Sequence, residues 1–261
     1  MKSKGLLNLI TFSDVRKGVF LLLADGPMTL SELKLHLDLR SPEIIPRIKD
    51  LTESGLVCKT GDKYHLTPMG EIIAEKFKPL ASMTEMIDRN EAYFSRYKIE
   101  AIPRTFVERL GELGECHVIE NTRENISAVY REAINNIARS KRVAGVSPIF
   151  ENSFPGFFTS MARNHIPVSF VLTEGIYEKV RLEYSDYLEE YLGYDNAEMY
   201  VLKDEPGIAF TVTDCFLTIS LVNRSGQFDL HSTLASYEKP AVRWGQDLFE
   251  YYKKKARVIK L

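Results

Sequence analysis

Gly55 separates two incompatible periodicities, and this switch constrains the fold more than any other feature of the chain. Before it, Ile44, Ile48 and Leu51 recur at four- and three-residue spacing, the period of a helix with one apolar face, while Arg47, Lys49 and Asp50 point elsewhere. After it, residues 56–60 and 63–67 are short β-like runs that flank Gly61-Asp62, a pair suited to a tight reversal. Ser41 is a credible N-cap, Pro42 suits the first helical position, and Glu43 puts negative charge where the helix dipole favours it. Segment 41–67 therefore reads as a helix followed directly by a hairpin. Pro46 leaves the start of the helix open, because an interior proline costs about 3 kcal/mol. The helix begins at Ser41, or nearer Ile44 or Ile45 with Pro46 in its first turn.

The residues before it complete a helix-turn-helix. Val15, Val19, Phe20, Leu22 and Leu23 give an amphipathic helix that ends at Asp25-Gly26-Pro27. Thr29 or Ser31 then caps a short helix carrying Leu30, Leu33 and Leu37, which residues 38–40 terminate. Three helices and a hairpin form a unit that can place its third helix in the DNA major groove while the hairpin, as a wing, touches phosphate. The expected DNA contacts are Arg40, Ser41, Arg47, Lys49, Lys59 and Lys63.

Residues 13–70 resemble an ArsR-type winged helix-turn-helix. The run Ile44-Ile45-Pro46-Arg47-Ile48-Lys49, followed by Leu51 and Gly55-Leu56-Val57, is similar to one archaeal branch of that family. Members of that branch carry a C-terminal domain named the methanogenesis regulatory protein middle domain and are known mostly from euryarchaea. Gly145-Val146-Ser147-Pro148 and the strand at 217–221 are later points of resemblance. The resemblance implies a transcription regulator.

The 261 residues, 44% of them hydrophobic, are enough for two cores. The net charge of −2 argues against a protein that coats nucleic acid nonspecifically, but its division is uneven. Of 34 Lys+Arg and 36 Asp+Glu, residues 1–80 hold 12 and 10, giving +2, and the remainder hold 22 and 26, giving −4. So small a bias calls for a dimer with well-placed contacts, since phosphate neutralisation supplies much of DNA affinity. No apolar run approaches membrane-spanning length and residues 5–12 lack a cleavage pattern, so a cytoplasmic location without membrane attachment is expected. Cys58, Cys116 and Cys215 lack metal-ligand spacing and read as small buried side chains. Cys58 lies in the wing, where oxidation would disturb DNA contacts.

Residues 68–109 are helical in pattern. Met69, Ile72, Ile73 and Phe77 close the wing, Pro79 is expected to interrupt, and Met83, Met86, Ile87, Phe94 and Tyr97 continue an apolar stripe on a second helix. That stripe is either a dimer contact, through Met83, Met86, Ile87 and Phe94, or ordinary packing against the C-terminal domain. Beyond it, strands at 115–119, 142–146 and 167–172 alternate with helices at 122–140, where Ile126 shares the apolar face, and 157–164. This alternation predicts a mostly parallel sheet. A tyrosine-rich helix at 177–192 follows, then an antiparallel meander at 199–202, 208–213, 216–222 and 228–230, and a last helix at 239–256 that buries Trp244, Leu248, Phe249 and Tyr252. The fold class is α+β. It comprises an N-terminal winged helix-turn-helix (1–79), a helical linker (80–100) and a C-terminal α/β regulatory domain with a mixed sheet (101–261).

The second domain carries no phosphate-binding loop, nucleophile elbow or clustered His and Cys, so neither enzyme activity nor a cofactor or metal is expected. Ligands of open α/β sheets bind beyond the carboxyl ends of parallel strands. That rule selects Ser147, Thr173 and Glu174, with Thr213 and Asp214 at a nearby turn, as an effector site, unless these residues are simply caps and turns. Three classes compete. The first is a homodimeric, sequence-specific regulator on double-stranded DNA whose second domain senses a small molecule and modulates wing geometry. The second keeps DNA binding but makes that domain a dimerisation or protein-interaction module, and the third is an enzyme fused to a winged helix or a winged helix that binds protein.

Overall fold

The computed structural model describes residues 5–122, 127–228 and 231–261, and divides into two units, Met1–Ala81 and Ser82–Leu261. The first unit contains α1 (Leu6–Thr11), α2 (Asp14–Leu23), β1 (Met28–Thr29), α3 (Leu30–Leu37), α4 (Ser41–Glu53), β2 (Val57–Thr60), β3 (Lys63–Leu66) and most of α5 (Pro68–Arg89). Local chemistry sets most of these boundaries. Ser13 Oγ accepts the Arg16 N–H at the start of α2. Thr29 and Glu32 form a reciprocal capping box on α3, which ends at Asp38 in the left-handed region at φ 52°. Gly55, at φ 77°, closes α4 and lets the Leu56 N–H reach the Leu51 carbonyl at 3.0 Å.

The start of α4 corrects the sequence reading. Arg40, not Ser41, is the N-cap, and its N–H donates to the Glu43 carboxylate at 3.0 Å. That bond holds the Glu43 carboxyl below its ordinary pKa. Ser41 is thus the first helical residue and Pro42 the second, where its missing N–H costs nothing. Pro46 lies inside the helix on its exposed side, where water can serve the carbonyl that a proline ring leaves unpaired.

Asp50, expected to point outward, is turned toward Arg16. The Arg16 guanidinium, with its side chain 11% exposed, donates from Nη1 to Asp50 Oδ2 at 2.9 Å and from Nε to the Leu9 carbonyl at 2.5 Å. One charged side chain thereby ties α1, α2 and α4 together beside a core of Val19, Phe20, Leu33, Ile44, Ile48, Leu51 and Leu56. In the hairpin, Thr60 pairs with Lys63 and Gly61 alone takes a positive φ, the pattern of a type II′ turn. The two-residue β1 pairs with β3 on its other side, completing a sheet of order β1-β3-β2.

Helix α5 runs unbroken through Pro79, contrary to expectation. Pro79 is exposed, so solvent can satisfy the Glu75 carbonyl that lacks its helical donor. Among the described residues no helix is long and apolar enough to cross a membrane.

The second unit begins on the last turns of α5 and continues through α6 (Glu91–Arg96), α7 (Arg104–Val107), β4 (Cys116–Glu120), α8 (Ala128–Ile137), β5 (Val143–Ser147), α9 (Phe154–Arg163) and β6 (Val168–Thr173). Then come α10 (Glu174–Glu183), α11 (Ser185–Leu192), β7 (Ala197–Leu202), β8 (Ile208–Thr213), β9 (Leu217–Leu221), β10 (Ser232–Ser236), α12 (Lys239–Lys253) and β11 (Arg257–Ile259). The tyrosine-rich segment is two helices, broken at Tyr184. The strands form one sheet of order β11-β7-β6-β5-β8-β9-β10-β4. Only β5–β6 and β6–β7 are parallel, so the expectation of a mostly parallel sheet fails. The strand expected at 228–230 is replaced by β10; Phe228 lies outside any strand, and Asp229 and Leu230, like Ile126, fall outside the described residues.

Strand alternation gives the sheet two different faces. On one, Val146, Val171, Phe210, Val212, Leu217 and Ile219 pack with Trp244, Leu248 and Phe249 of α12. Gly245 permits this approach, since a Cβ there would meet Leu217 Cδ1 at 2.7 Å. Trp244 is fully buried and donates its indole N–H to the Phe106 carbonyl at 3.1 Å. The stripe expected to mediate dimerisation belongs to this core: Met86 is fully buried in it, and Met83, Ile87 and Phe94 pack against it. Met86 has no exposed surface left for a second copy, whereas Met83, Ile87 and Phe94 are only partly buried.

Replacing Asp50 with Ala leaves the Arg16 charge without its partner in a largely buried site. Hydrogen exchange of the α4 amides should accelerate about ten- to hundredfold, or roughly 1.4–3 kcal/mol. Glu53→Ala, which removes only an exposed pair with Lys49, should leave the same amides within about twofold of the parent.

Candidate nucleic-acid interface and internal cavity

With Ile44, Ile48 and Leu51 buried and Asp50 held by Arg16, the solvent side of α4 carries Pro42, Ile45, Pro46, Arg47 and Lys49. Arg47 makes no hydrogen bond or ion pair with any described residue, and Lys49 has only an exposed pair with Glu53 at 3.6 Å. Two residues apart on a helix, Arg47 and Lys49 are separated by about 160° around the axis. They therefore occupy opposite flanks, with Pro42 and Pro46 between them. Arg40 extends from the N-cap and Ser41 sits half-buried in the first turn. Ile45, 48% exposed on this surface, was not among the sequence-derived contacts. Its signal was available, since it falls outside the apolar period set by Ile44, Ile48 and Leu51.

The register separates the two lysines of the β2–β3 hairpin. Lys59 pairs with Tyr64 and shares the face of buried Val57 and Leu66, its ammonium 5.2 Å from the Tyr64 ring centroid. Lys63 pairs with Thr60 on the other face, beside Cys58 and His65. Cys58 Sγ lies 3.4 Å from His65 Nδ1, while His65 Nε2 is 2.8 Å from Thr60 Oγ1. Cys58 and Cys116 are half-buried, whereas Cys215 is exposed and departs from the expected burial. Burial pushes the Cys116 thiol up to about 11.

In the second unit, the sheet face opposite α12 is covered by α8, α9, α10 and α11, and between them lies a half-open cavity of about 600 Å³. Aliphatic and aromatic side chains line its walls, the latter including Tyr130, Phe150, Phe154, Phe158 and Phe170. Of the expected effector residues, only Ser147 lines it, and its Oγ donates to the Ile149 carbonyl at 2.7 Å. Thr173 follows cavity-lining Leu172 and so falls on the opposite face, while Glu174 pairs with Arg257 at 3.4 Å. Thr213 and Asp214 lie at the other end of the sheet, because β8 is antiparallel to β5 and sets Thr213 against Val143 rather than Ser147. Thr213 Oγ1 accepts the N–H groups of Cys215 and Phe216, both at 3.2 Å, and Asp214 accepts the Lys141 N–H at 2.8 Å. These two residues build a turn. The floor residues that sequence reasoning missed are Thr211 and Thr218, opposed across β8 and β9. Among the described residues no group of His, Cys, Asp and Glu is arranged to hold a metal.

Two family models match the chain. The N-terminal domain of methanogenesis regulatory protein FilR1 spans residues 4–85 and the middle domain of that protein spans residues 126–255. The methanogenesis regulatory protein FilR1 of Methanothrix harundinacea is 24% identical over 253 residues, which cover 95% of this chain and 56% of the relative's length. Among solved structures, TrmBL2, an archaeal chromatin protein, is similar over 96% of this chain and 97% of its own, at 12% identity and a TM-score of 0.44. Nuc, a phospholipase D family member from Salmonella typhimurium, covers 56% of this chain and 99% of its own, at 9% identity and a TM-score of 0.44. Structural likenesses this distant carry no functional weight.

Thr213→Val keeps the shape of the side chain and deprives two backbone N–H groups of their acceptor. It should lower stability by about 1–3 kcal/mol, read from the urea midpoint of Trp244 fluorescence, without changing the binding of any cavity ligand.

Proposed function

The chain carries the N-terminal and middle domains of the methanogenesis regulatory protein family, in that order, and from this premise we propose that it is a sequence-specific, DNA-binding transcription regulator. In this reading α3 and α4 are the helix-turn-helix and β2–β3 its wing; the ArsR-type placement rests on the sequence resemblance. The chain acts as a homodimer, and its second unit senses a small molecule. Its role is regulatory rather than enzymatic, as the two matched domains are those of a regulatory protein.

The observation that carries DNA binding is the outward face of α4. A major groove about 12 Å wide meets a helix on two walls and a floor. Arg47 and Lys49 on opposite flanks suit the walls, while Ile45 and Pro46 offer the apolar contact that thymine methyl groups accept. Arg40 and Ser41 stand at the helix N-terminus, where partial positive charge favours phosphate. On the wing, Lys63 projects from the face away from the core and serves as a phosphate contact; Lys59 does so only from the hairpin's end.

A second copy needs an apolar surface other than the one occupied by Met86. Exposed apolar side chains remain on and beside α1, where Leu7 is 65% and Phe12 is 78% exposed, and on α5, where Ile72 is 68% exposed. These support the homodimer. The half-open, largely apolar cavity favours ligand sensing over a purely structural second unit, because interaction modules have no need of one.

Binding to DNA from the chain's own upstream region, followed by fluorescence anisotropy, tests the reading; affinity that ignores salt would overturn it. Arg47→Ala should cost about 1–3 kcal/mol and relax preference at one site position if it reaches a base edge. Lys63→Ala should weaken all sequences alike and flatten the salt dependence by about one counterion per wing. Separately, Ile72→Asp should shift light scattering toward the monomer, whereas Phe94→Glu should lower the thermal midpoint without that shift.

A further inference from the structure

The polar groups of the cavity are unequally satisfied, and the pattern restricts what it can hold. Ser220 Oγ donates to Thr233 Oγ1 at 3.0 Å, Thr233 Oγ1 donates to the Ile219 carbonyl at 3.0 Å, and Tyr191 donates to the Val168 carbonyl at 2.8 Å. By contrast, the hydroxyls of Thr211 and Thr218 make no hydrogen bond with any described residue. They stand opposite each other in register on adjacent strands, on the cavity side of the sheet, so both can address one atom above them. They are not sealed-off orphans, since no buried side-chain N or O atom among the described residues lacks a partner. Both hydroxyls therefore open onto the cavity.

The charge inventory is equally restrictive. Among the described residues no Lys, Arg or His lines the cavity, and Glu151 is the one carboxylate on that lining. On this described lining a phosphate or carboxylate would give up hydration and meet no cation in exchange, with Glu151 adding repulsion. The described walls instead combine aliphatic side chains with eight phenylalanine and tyrosine rings, whose faces and edges favour flat apolar rings. The volume of about 600 Å³ lies in the ordinary range of small-molecule sites.

We infer that the cavity takes an uncharged, ring-bearing molecule with one oxygen acceptor, which the Thr211 and Thr218 hydroxyls hold from the sheet floor. This rests on the reading of the second unit as a ligand-sensing domain. Burial of the rings supplies affinity, and the paired hydroxyls set orientation.

Prodan, a neutral naphthyl ketone whose emission reports hydrogen bonding to its carbonyl, is a suitable probe for titration into the full chain. Anilinonaphthalene sulfonate presents a comparable ring system with a fixed negative charge. Prodan should bind saturably at one site per chain, and the sulfonate at least about tenfold more weakly. Thr211→Val with Thr218→Val should weaken prodan about tenfold and shift its bound emission to the blue, since both donors are lost while shape is kept. The corresponding double serine variant should restore affinity and emission. Ala209→Trp, which fills the cavity from β8, should abolish binding, as should Ala133→Trp from α8. Sulfonate binding as tight as prodan, or a double valine variant that changes neither affinity nor emission, would overturn the assignment. DNA affinity measured with and without prodan separates the two readings: cavity binding that leaves DNA affinity unchanged upholds the ligand class and overturns sensing by this ligand.

Discussion

The ion pair between Arg16 and Asp50 decides which side of α4 is left for a partner. Without it, the apolar residues Ile44, Ile48 and Leu51 would fix only the buried line of the helix, and a single line tolerates rolling by tens of degrees. A carboxylate drawn toward a largely buried guanidinium, itself anchored on the Leu9 carbonyl, supplies a second line of restraint. Such a pair adds little net stability, because desolvation offsets much of the attraction, but it penalises every orientation that would separate the charges. The placement of Arg47 and Lys49 on two flanks, with the prolines between and Ile45 beside Lys49, depends on that restraint. The exposed prolines fit the same logic. A helix whose outer face forgoes a backbone donor at Pro46 can be stable only because its inner face is held so firmly.

The second unit depends on a different constraint, the two-residue alternation of its strands. Even-numbered residues of β8 and odd-numbered residues of β9 are large and apolar and meet α12, where Trp244 and Gly245 allow close packing. Their neighbours on the other face are Ala209, Thr211, Thr218 and Ser220, which are too small to fill the space beneath four short helices. The cavity follows from this asymmetry. A core that used valine or leucine at those positions would close it, so the hydroxyl-bearing floor has a physical cost in forgone packing.

Much of the first unit was legible because its signals are local. The Thr29 cap of α3, the glycine stop after α4 and the two-residue reversal at Gly61-Asp62 each operate within a few residues. The misreadings there also have local causes. At Arg40 the backbone donor was served by the Glu43 carboxylate rather than by a serine hydroxyl, and at Pro79 a proline on an exposed face did not end its helix. The two-residue β1 exists only through its pairing with β3, and α1 is barely more than one turn, so neither leaves a periodic trace. In the second unit, the elements were largely legible and their directions were not. Whether β8 runs with or against β5 is decided by which edges the chain returns to, and no window of sequence contains that choice. Placing Thr213 and Asp214 beside Ser147 assumed a parallel neighbour, and the antiparallel register moves them to the far end of the sheet. The β8–β9 pairing that opposes Thr211 to Thr218 is local and belongs to the expected meander, but which of its faces meets the cavity depends on the helices packed from elsewhere in the chain.

The contrast between the two faces also limits how a ligand in the second unit can act. A tenfold change in DNA affinity requires the ligand to favour one state over the other by about 1.4 kcal/mol, and tight binding alone contributes nothing to that difference. The α12 face is a poor source of two states, since Trp244, Gly245 and the strands beneath them are closely packed and any displacement opens voids. The cavity wall is built otherwise. It consists of short helices, with α10 and α11 meeting at the break at Tyr184, and several of its aromatic side chains are only partly buried. A ligand that discriminates between conformations must therefore do so through the helical wall, with the sheet and α12 as the fixed frame against which that wall moves.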